Sequence, residues 1–383
     1  MYRIQTMNKI SPVGLNRFDA ALYEVGDEVQ DPQGILVRSA KLLDMEFNPS
    51  LLAIARAGVG VNNIPLDRCA AAGIPVFSTP GANANAVKEL VVCAMLMSSR
   101  DIPGAIRWVR EQAASGVEVA TVVEKGKSAF VGPELYKKTL GIIGLGAIGS
   151  IVANTAISLG MDVYGYDPFL SVDTALRLDR HVHVVKDIND LYKRADYVTL
   201  HIHYTGKTAH MIDADAIAAM KRGVRVINLA RGEIVDDEAI LAALDTGKVA
   251  VYVTDFPNNR LLTAPHVIAM PHLGASTPES EQNCAAMAVD ELTDYLENGN
   301  IRRSVNLPDM VMDRSGVERL CILHKNVPGM LANITSLFGR DGVNVENLSN
   351  KSRGEYAYTM VDLGTKVAER VIEDVQHMAN VIR

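Results

Sequence analysis

An apolar run, Leu140-Gly141-Ile142-Ile143, leads directly into Gly144-Leu145-Gly146-Ala147-Ile148-Gly149 and then into a helical pattern closed by Gly160. Few folds accommodate that order. The first glycine permits a tight turn out of a strand, and the second lets backbone approach a diphosphate. The third lets the helix pack close against the strand. Amides of the first helical turn and the helix dipole then stabilise phosphate charge. The periodicity predicts a helix whose buried face is Ile148, Ile151, Val152, Thr155 and Leu159. A second strand, Asp162–Tyr166, ends at Asp167, 18 residues beyond Gly149. A carboxylate there accepts hydrogen bonds from an adenosine ribose and repels a 2′-phosphate. Asp167 also precedes Pro168, and a turn role is compatible with a ribose role.

Residues 140–167 therefore read as a Rossmann-type unit that takes NAD rather than NADP, with Gly144, Gly146, Ala147, Ile148, Gly149 and Asp167 as its contacts. Around it the pattern is a doubly wound α/β fold, with further strands predicted at 182–185, 197–202, 224–229, 250–254 and 267–270. Before it, strands are predicted at 34–37, 51–57 and 74–77, with a buried helix at 86–100; residues 108–132 give no clear pattern. After it, Pro278 opens a long helix that Gly299 ends. Residues 302–316, with Pro308, Gly316 and mixed charge, read as a linker, and 317–383 as a small βαββα domain.

At 383 residues the chain exceeds one hydrophobic core, so two or three domains are expected. Its net charge of −7, with Lys and Arg scattered, excludes the concentrated basic surface that nucleic acid or an anionic membrane requires. The longest apolar stretch, Leu90 to Met97, is far shorter than a bilayer span, and Met1 to Val13 has no signal-peptide features. Cys69, Cys93, Cys284 and Cys321 are widely spaced, as reduced thiols of a cytoplasmic protein would be. Two His-x-His pairs, His181/His183 and His201/His203, lack the further ligands a metal needs, so no metal is expected.

Ligands of open α/β sheets sit beyond the carboxyl ends of the strands. Two polar clusters fall there, Asn228-Leu229-Ala230-Arg231-Gly232 and Pro271-His272-Leu273-Gly274-Ala275-Ser276-Thr277. An arginine beside a dinucleotide can hold a substrate carboxylate in a two-pronged ion pair, and a histidine can accept an alcohol proton. A surface ion pair for Arg231 and a helix-entry turn for His272 are the plainer alternatives.

Together with the glycine loop and Asp167, these clusters resemble the D-2-hydroxyacid dehydrogenase family along essentially the whole chain. The resemblance is strongest to members that oxidise D-3-phosphoglycerate to 3-phosphohydroxypyruvate with NAD, the entry to phosphorylated serine synthesis. It implies a discontinuous, flavodoxin-like substrate domain at 1–90 plus 272–301 and an NAD domain at 91–271. It puts Ala230, Asp255, His272 and Gly274 beside the cofactor. It makes Arg38, Ser39 and Arg56 candidates for a phosphate, and Val59, Gly60, Asn85 and Arg231 for a carboxylate. A structural ion pair is the alternative for Arg38 and Arg56. The family pairs its histidine with a carboxylate, which by alignment falls at Asn259. Either Asn259 orients His272 by hydrogen bonding, or Asp255 takes the role, or the site is impaired. His203, where the family commonly has proline, is a second departure.

Residues 317–383 resemble an ACT domain, an amino-acid-sensing module that usually works in pairs. The matching run is His324-Lys325-Asn326-Val327-Pro328-Gly329, followed by Gly342-Val343-Asn344. In serine-inhibited relatives the equivalent His and two Asn residues bind serine, which makes His324, Asn326 and Asn344 the expected effector site. The resemblance further implies a homodimer or homotetramer. Two other functions compete: a dehydrogenase for an unphosphorylated acid such as glycerate or hydroxypyruvate, and a non-catalytic NAD-sensing protein.

Overall fold

The computed structural model describes residues 1–383, which divide into two units: Met1–Ala82 with Pro278–Arg383, and Asn83–Thr277. These breaks fall near 82 and 277, where the sequence placed domain changes at 90 and 271.

The first unit opens with five parallel strands: β1 (Tyr2–Met7), β2 (Tyr23–Gly26), β3 (Gly34–Val37), β4 (Ala53–Arg56) and β5 (Val76–Phe77). Their order, β2-β1-β3-β4-β5, is that of a flavodoxin-like sheet. Every residue of β3 is buried, as expected of a parallel strand covered on both faces. β1 and β2 lie outside the predicted strands, because Arg3, Gln5 and Thr6 interrupt any apolar run in the first. One face of the sheet is covered by the Pro278–Asn298 helix through Ala285, Ala288, Val289 and Leu292, which share a core with Ile4, Leu36, Ala55 and Phe77. Glu279 and Glu281 in its first turn complement its dipole, and Gly299, at φ 72°, ends it.

Residues 302–316 are not a free linker. Leu307 and Met310 are wholly buried in that same core, with Met312 beside them. Asn306 accepts from Val76 N (2.8 Å) and donates to Ile74 O (2.9 Å), while Val305 N donates to Val76 O (2.9 Å). The segment therefore covers the otherwise open edge of β5, as sheets require of an exposed edge. Its apolar residues follow no period, which is why the sequence suggested a tether.

The second unit starts with the Ala84–Arg100 helix, buried along Val87, Val91, Ala94 and Met95. The stretch without a sequence reading forms two more helices, Ile102–Ala114 and Val119–Gly126, neither of which buries a residue. Seven parallel strands follow: β6 (Thr139–Ile143), β7 (Asp162–Tyr166), β8 (His183–Val185), β9 (Tyr197–Leu200), β10 (Val224–Asn228), β11 (Val249–Thr254) and β12 (Val267–Ala269). The order β12-β11-β10-β9-β6-β7-β8 is the doubly wound Rossmann arrangement, and it reverses direction between β6 and β9. The Ala147–Ser158 helix buries Gly149, Val152, Ala153 and Ala156, whereas Leu159 is 40% exposed. The expected apolar face is thus rotated. Small residues, not the large ones, let this helix lie close to its neighbours.

Back in the first unit, β13 (Glu318–Lys325), β14 (Val345–Arg353) and β15 (Tyr356–Leu363) form an antiparallel sheet in the order β13-β15-β14. The helices Met330–Arg340 and Glu369–Gln376 cover one face through Ile334, Phe338, Val371 and Val375. On the other face Leu323, Tyr358 and Met360 join the core of the five-stranded sheet. Arg319 and Asp362, 3% and 0% exposed, form a buried pair, Nε and Nη2 donating to the two carboxylate oxygens at 2.6 and 2.7 Å. Arg319 Nη1 also donates to Asn298 O at the end of the long helix (2.9 Å), and Tyr358 OH donates to Gly299 O (2.6 Å). Residues 380–383 bond to the free edge of β13, and Arg383 reaches the carbonyls of Pro49 and Leu51. No helix is long and apolar enough to cross a membrane.

Candidate active site

The glycine loop joins β6 to its helix where the strand order reverses. Gly144 has φ 91°, and a Cβ there would lie 2.4 Å from His201 O. A Cβ on Gly149 would lie 1.9 Å from Gly144 O, so the loop closes on the helix only with glycine at both ends. Gly146 differs: nothing lies within 4 Å of where its Cβ would be, and its φ of −66° strains no residue. The middle glycine thus borders open space at a helix N-terminus, the cradle a diphosphate needs. Asp167, at the end of β7, accepts from Leu145 N (2.9 Å) and Phe169 N (2.8 Å), so it braces the loop and makes the Pro168 turn. Each carboxylate oxygen keeps a lone pair for a ribose hydroxyl. The loop, open cradle and acid together fit a dinucleotide.

His201, just past β9, is a feature the sequence suggested only as half of a metal pair. Burial pushes its imidazole down to about 3, so the ring is neutral. Nε2 meets Thr199 Oγ1 at 3.1 Å, and Nδ1 is buried without a partner.

The reacting groups gather past β10, β11 and β12. Asn228, wholly buried, donates to Arg231 O (2.8 Å) and accepts from Ala230 N (3.1 Å), which fixes the turn carrying Arg231. The Arg231 guanidinium lies 5.8 Å from the centre of the Phe256 ring. On the same ring sits the His272 imidazole, 4.6 Å between centroids and tilted by 49°. Phe256 is therefore a shared platform for both groups, a residue no sequence motif singled out. Its neighbour Asp255 is fully buried: Oδ2 accepts from Gly274 N (3.2 Å), and Oδ1 has no partner. Burial pushes the Asp255 carboxyl up, opposed by the charge of His272 and the amides of Gly274 and Leu273. Asn259, by contrast, is exposed at the start of the short Asn259–Leu262 helix, and no hydrogen bond joins it to His272. His203 is exposed as well.

The remaining candidates have partners of their own. Arg38 pairs with Glu281 at 2.6 Å, both about two-fifths exposed. Arg56 Nε donates to Arg38 O (3.0 Å), and its guanidinium lies against Gly58. Ser39 N donates to Asn8 Oδ1 (3.1 Å), Val59 and Gly60 are half-buried, and Asn85 donates to Glu89 (2.9 Å). Arg38, Ser39, Arg56, Val59 and Gly60 belong to the first unit; Asn85, Arg231 and His272 belong to the second. In the C-terminal module His324 is only 2% exposed, with Nδ1 on Lys325 O and Nε2 on Thr359 Oγ1, both 2.8 Å. Asn326 and Asn344 are less buried, bonded to Gly354 O (3.2 Å) and Glu346 (2.9 Å). The histidine expected to meet an effector is thus a buried structural bridge, because β13 runs through it and β15 supplies its partner.

Residues 92–274 match the model of the D-isomer specific 2-hydroxyacid dehydrogenase NAD binding domain, and residues 320–383 match the AHAS small subunit-like ACT domain. A D-3-phosphoglycerate dehydrogenase of Haemophilus influenzae is 32% identical over 375 residues, 94% of this chain and 88% of that protein. The chain belongs to the D-isomer specific 2-hydroxyacid dehydrogenases. A D-3-phosphoglycerate dehydrogenase of Methanocaldococcus jannaschii is 35% identical over 302 residues, 76% of this chain but only 55% of that longer protein. The chain thus spans little more than half the length of some curated relatives. Among solved structures, the NAD+-bound 3-phosphoglycerate dehydrogenase of Entamoeba histolytica superposes with a TM-score of 0.61 at 25% identity, covering 80% of this chain and 98% of that one. In this dehydrogenase the NAD-domain match embraces the glycine loop, Asp167, Arg231, Asp255 and His272.

Proposed function

We propose that this dehydrogenase oxidises D-3-phosphoglycerate at C2 to 3-phosphohydroxypyruvate. The observation that carries the reading is the grouping of Arg231 and His272 on one Phe256 ring, with the buried Asp255 carboxylate behind His272. NAD, when bound, supplies the acceptor for the hydride leaving C2. The loop Gly144 to Gly149, with Ala147 and Ile148 opening the helix, would hold its diphosphate, and Asp167 its adenosine ribose. Ala230 and Gly274 would flank its nicotinamide end. The unpartnered Asp255 Oδ1 suits the N–H of a carboxamide there, since a buried acceptor left unmade is costly.

His272 accepts the C2 hydroxyl proton, because a neutral imidazole is a base near working pH. Asp255 stabilises the imidazolium that results and takes over the role that alignment assigned to Asn259. Arg231 holds the C1 carboxylate through paired N–H donors; Val59, Gly60 and Asn85 are proposed as further carboxylate contacts. Arg38, Ser39 and Arg56 are proposed for the phosphate; two cations suit a dianion better than they suit a hydroxymethyl group. For Arg38 this means sharing its guanidinium with Glu281.

L-Serine is the proposed effector, meeting Asn326 and Asn344 while His324 holds the strand behind them. Self-association as a homodimer or homotetramer is proposed on the apolar surface of the Ile102–Ala114 and Val119–Gly126 helices, where Ile102, Ile106, Val109 and Val123 are exposed. A cytoplasmic setting is proposed on the cysteines, all four of which are free thiols. The test of activity is NADH formation with D-3-phosphoglycerate, D-glycerate and D-lactate. Turnover of the first alone supports the reading; turnover of glycerate alone assigns an unphosphorylated substrate, and silence on all three assigns an NAD-sensing role. Calorimetry without heat on adding L-serine, beside unchanged kinetics, removes the effector.

A further inference from the structure

A solvent-open cavity of about 300 Å³ lies where the 301–311 segment meets β14, lined by Ile301, Arg302, Arg303, Asp309, Met310 and Lys351. Three cations and one carboxylate face it. Arg302 uses only Nε, on Asp294 (2.9 Å), and Arg303 only Nη1, on Glu291 (2.8 Å). The Lys351 side chain makes no hydrogen bond or ion pair. Most of the N–H donors on these three side chains are therefore uncommitted. The one facing carboxylate, Asp309, accepts from Ser304 N through Oδ1 (2.8 Å).

Two further features mark this cavity as built. Arg303 has φ 54°, a left-handed conformation that a non-glycine residue adopts at a cost of about 1–3 kcal/mol and that concentrates at ligand sites. Behind it Glu291, 3% exposed, leaves Oε2 buried without a partner. Burial pushes the Glu291 carboxyl up to about 7 against the pull of Arg303, and Asp309 and Asp290 add to the rise. Near neutral pH that carboxyl readily gains a proton, so the Arg303 charge can be shared with an incoming anion.

We infer that the cavity between Arg302, Arg303 and Lys351 binds a small oxyanion, phosphate or polycarboxylate, at the junction of the substrate-domain core and the C-terminal sheet. The site is distinct from Arg38 and Arg56. Its ligand would bridge Lys351, on β14, to Arg303, on the segment that covers β5, and so tie the two sheets together.

The experiment is calorimetric titration of the full chain with inorganic phosphate and, separately, with malonate, at constant ionic strength with chloride as control. Two variants accompany it, Lys351→Met in the cavity and Arg56→Met away from it. Saturable binding that persists in R56M, where the proposed substrate-phosphate site is disabled, and that K351M in that background weakens about tenfold supports the site; phosphate alone or malonate alone identifies the class of oxyanion. No binding beyond the chloride control overturns the inference, and so does binding that K351M leaves unchanged. Lys351 is exposed and unpartnered, so its substitution leaves the fold in place. Arg303→Gln, which frees Glu291 of its partner, is a second variant expected to abolish binding.

Discussion

The rings of Phe256 and His272 lie 4.6 Å apart, and the face of the same phenyl ring lies 5.8 Å below the Arg231 guanidinium. An aromatic face attracts cations by about 0.5–1 kcal/mol where partly exposed. Phe256 therefore sets the distance between the imidazole and Arg231. Phe256→Leu is expected to lower kcat/KM by about threefold to tenfold, with Phe256→Tyr restoring it. A Leu variant with wild-type kcat/KM contradicts the platform role.

Asp255 and Asn259 make opposite predictions. Asp255 is buried, and its carboxylate is stabilised by the charge of His272, so each charge supports the other. Removing that charge makes imidazolium harder to form. Asp255→Asn is expected to reduce kcat about a hundredfold or more, within the range of general-base effects. Asn259→Asp places a carboxylate on an exposed helix start, where screening by solvent keeps its influence on kcat small. A large change in kcat in N259D with none in D255N reverses the assignment.

The two outer glycines of the loop and the middle one separate folding from binding. Gly149→Ala is expected to destabilise the second unit, because its methyl would fall 1.9 Å from Gly144 O. Gly146→Ala meets no atom, so its melting temperature without cofactor should equal the wild type's. Its Kd for NAD, measured by fluorescence quenching, should rise at least tenfold as the methyl fills the cradle. Equal NAD affinity in G146A shows that the diphosphate lies elsewhere.

Much of this was legible in advance, for a physical reason. Strands of a parallel sheet are buried on both faces, so β3 and the Leu140–Ile143 part of β6 read as unbroken apolar runs, and the glycine loop has few alternative uses. β1 escaped because Arg3, Gln5 and Thr6 alternate with its buried Ile4. The face of the Ala147–Ser158 helix was misjudged because hydrophobicity was weighed and size was not: Gly149, Ala153 and Ala156 face inward because they are small. At the site, Arg231 and His272 stood out by motif. Phe256 did not, since its role is contact geometry that no spacing encodes. His324 looked like a ligand because sequence cannot tell a polar residue facing solvent from one facing Thr359.

The Arg319–Asp362 pair ties the C-terminal sheet to the end of the long helix, and its burial makes it asymmetric to mutation. Burial alone would raise the Asp362 carboxyl, but Arg319 and the Ser315 amide and hydroxyl hold it below its usual 3.8. A depressed carboxyl contributes stability that is present above the unfolded value and is lost as pH falls through the folded one. Arg319→Met is expected to cost about 3–5 kcal/mol in urea unfolding at neutral pH, with R319M/D362L recovering most of it. A single variant as stable as wild type contradicts the role given to the pair.

The most direct measurement is the ratio of kcat/KM for D-3-phosphoglycerate to that for D-glycerate with NAD, taken in the wild type and in Arg56→Met. The assignment predicts a wild-type ratio of about a hundred or more that collapses toward unity in R56M, with turnover of both acids abolished in His272→Phe. A wild-type ratio near one, or full activity without His272, contradicts it.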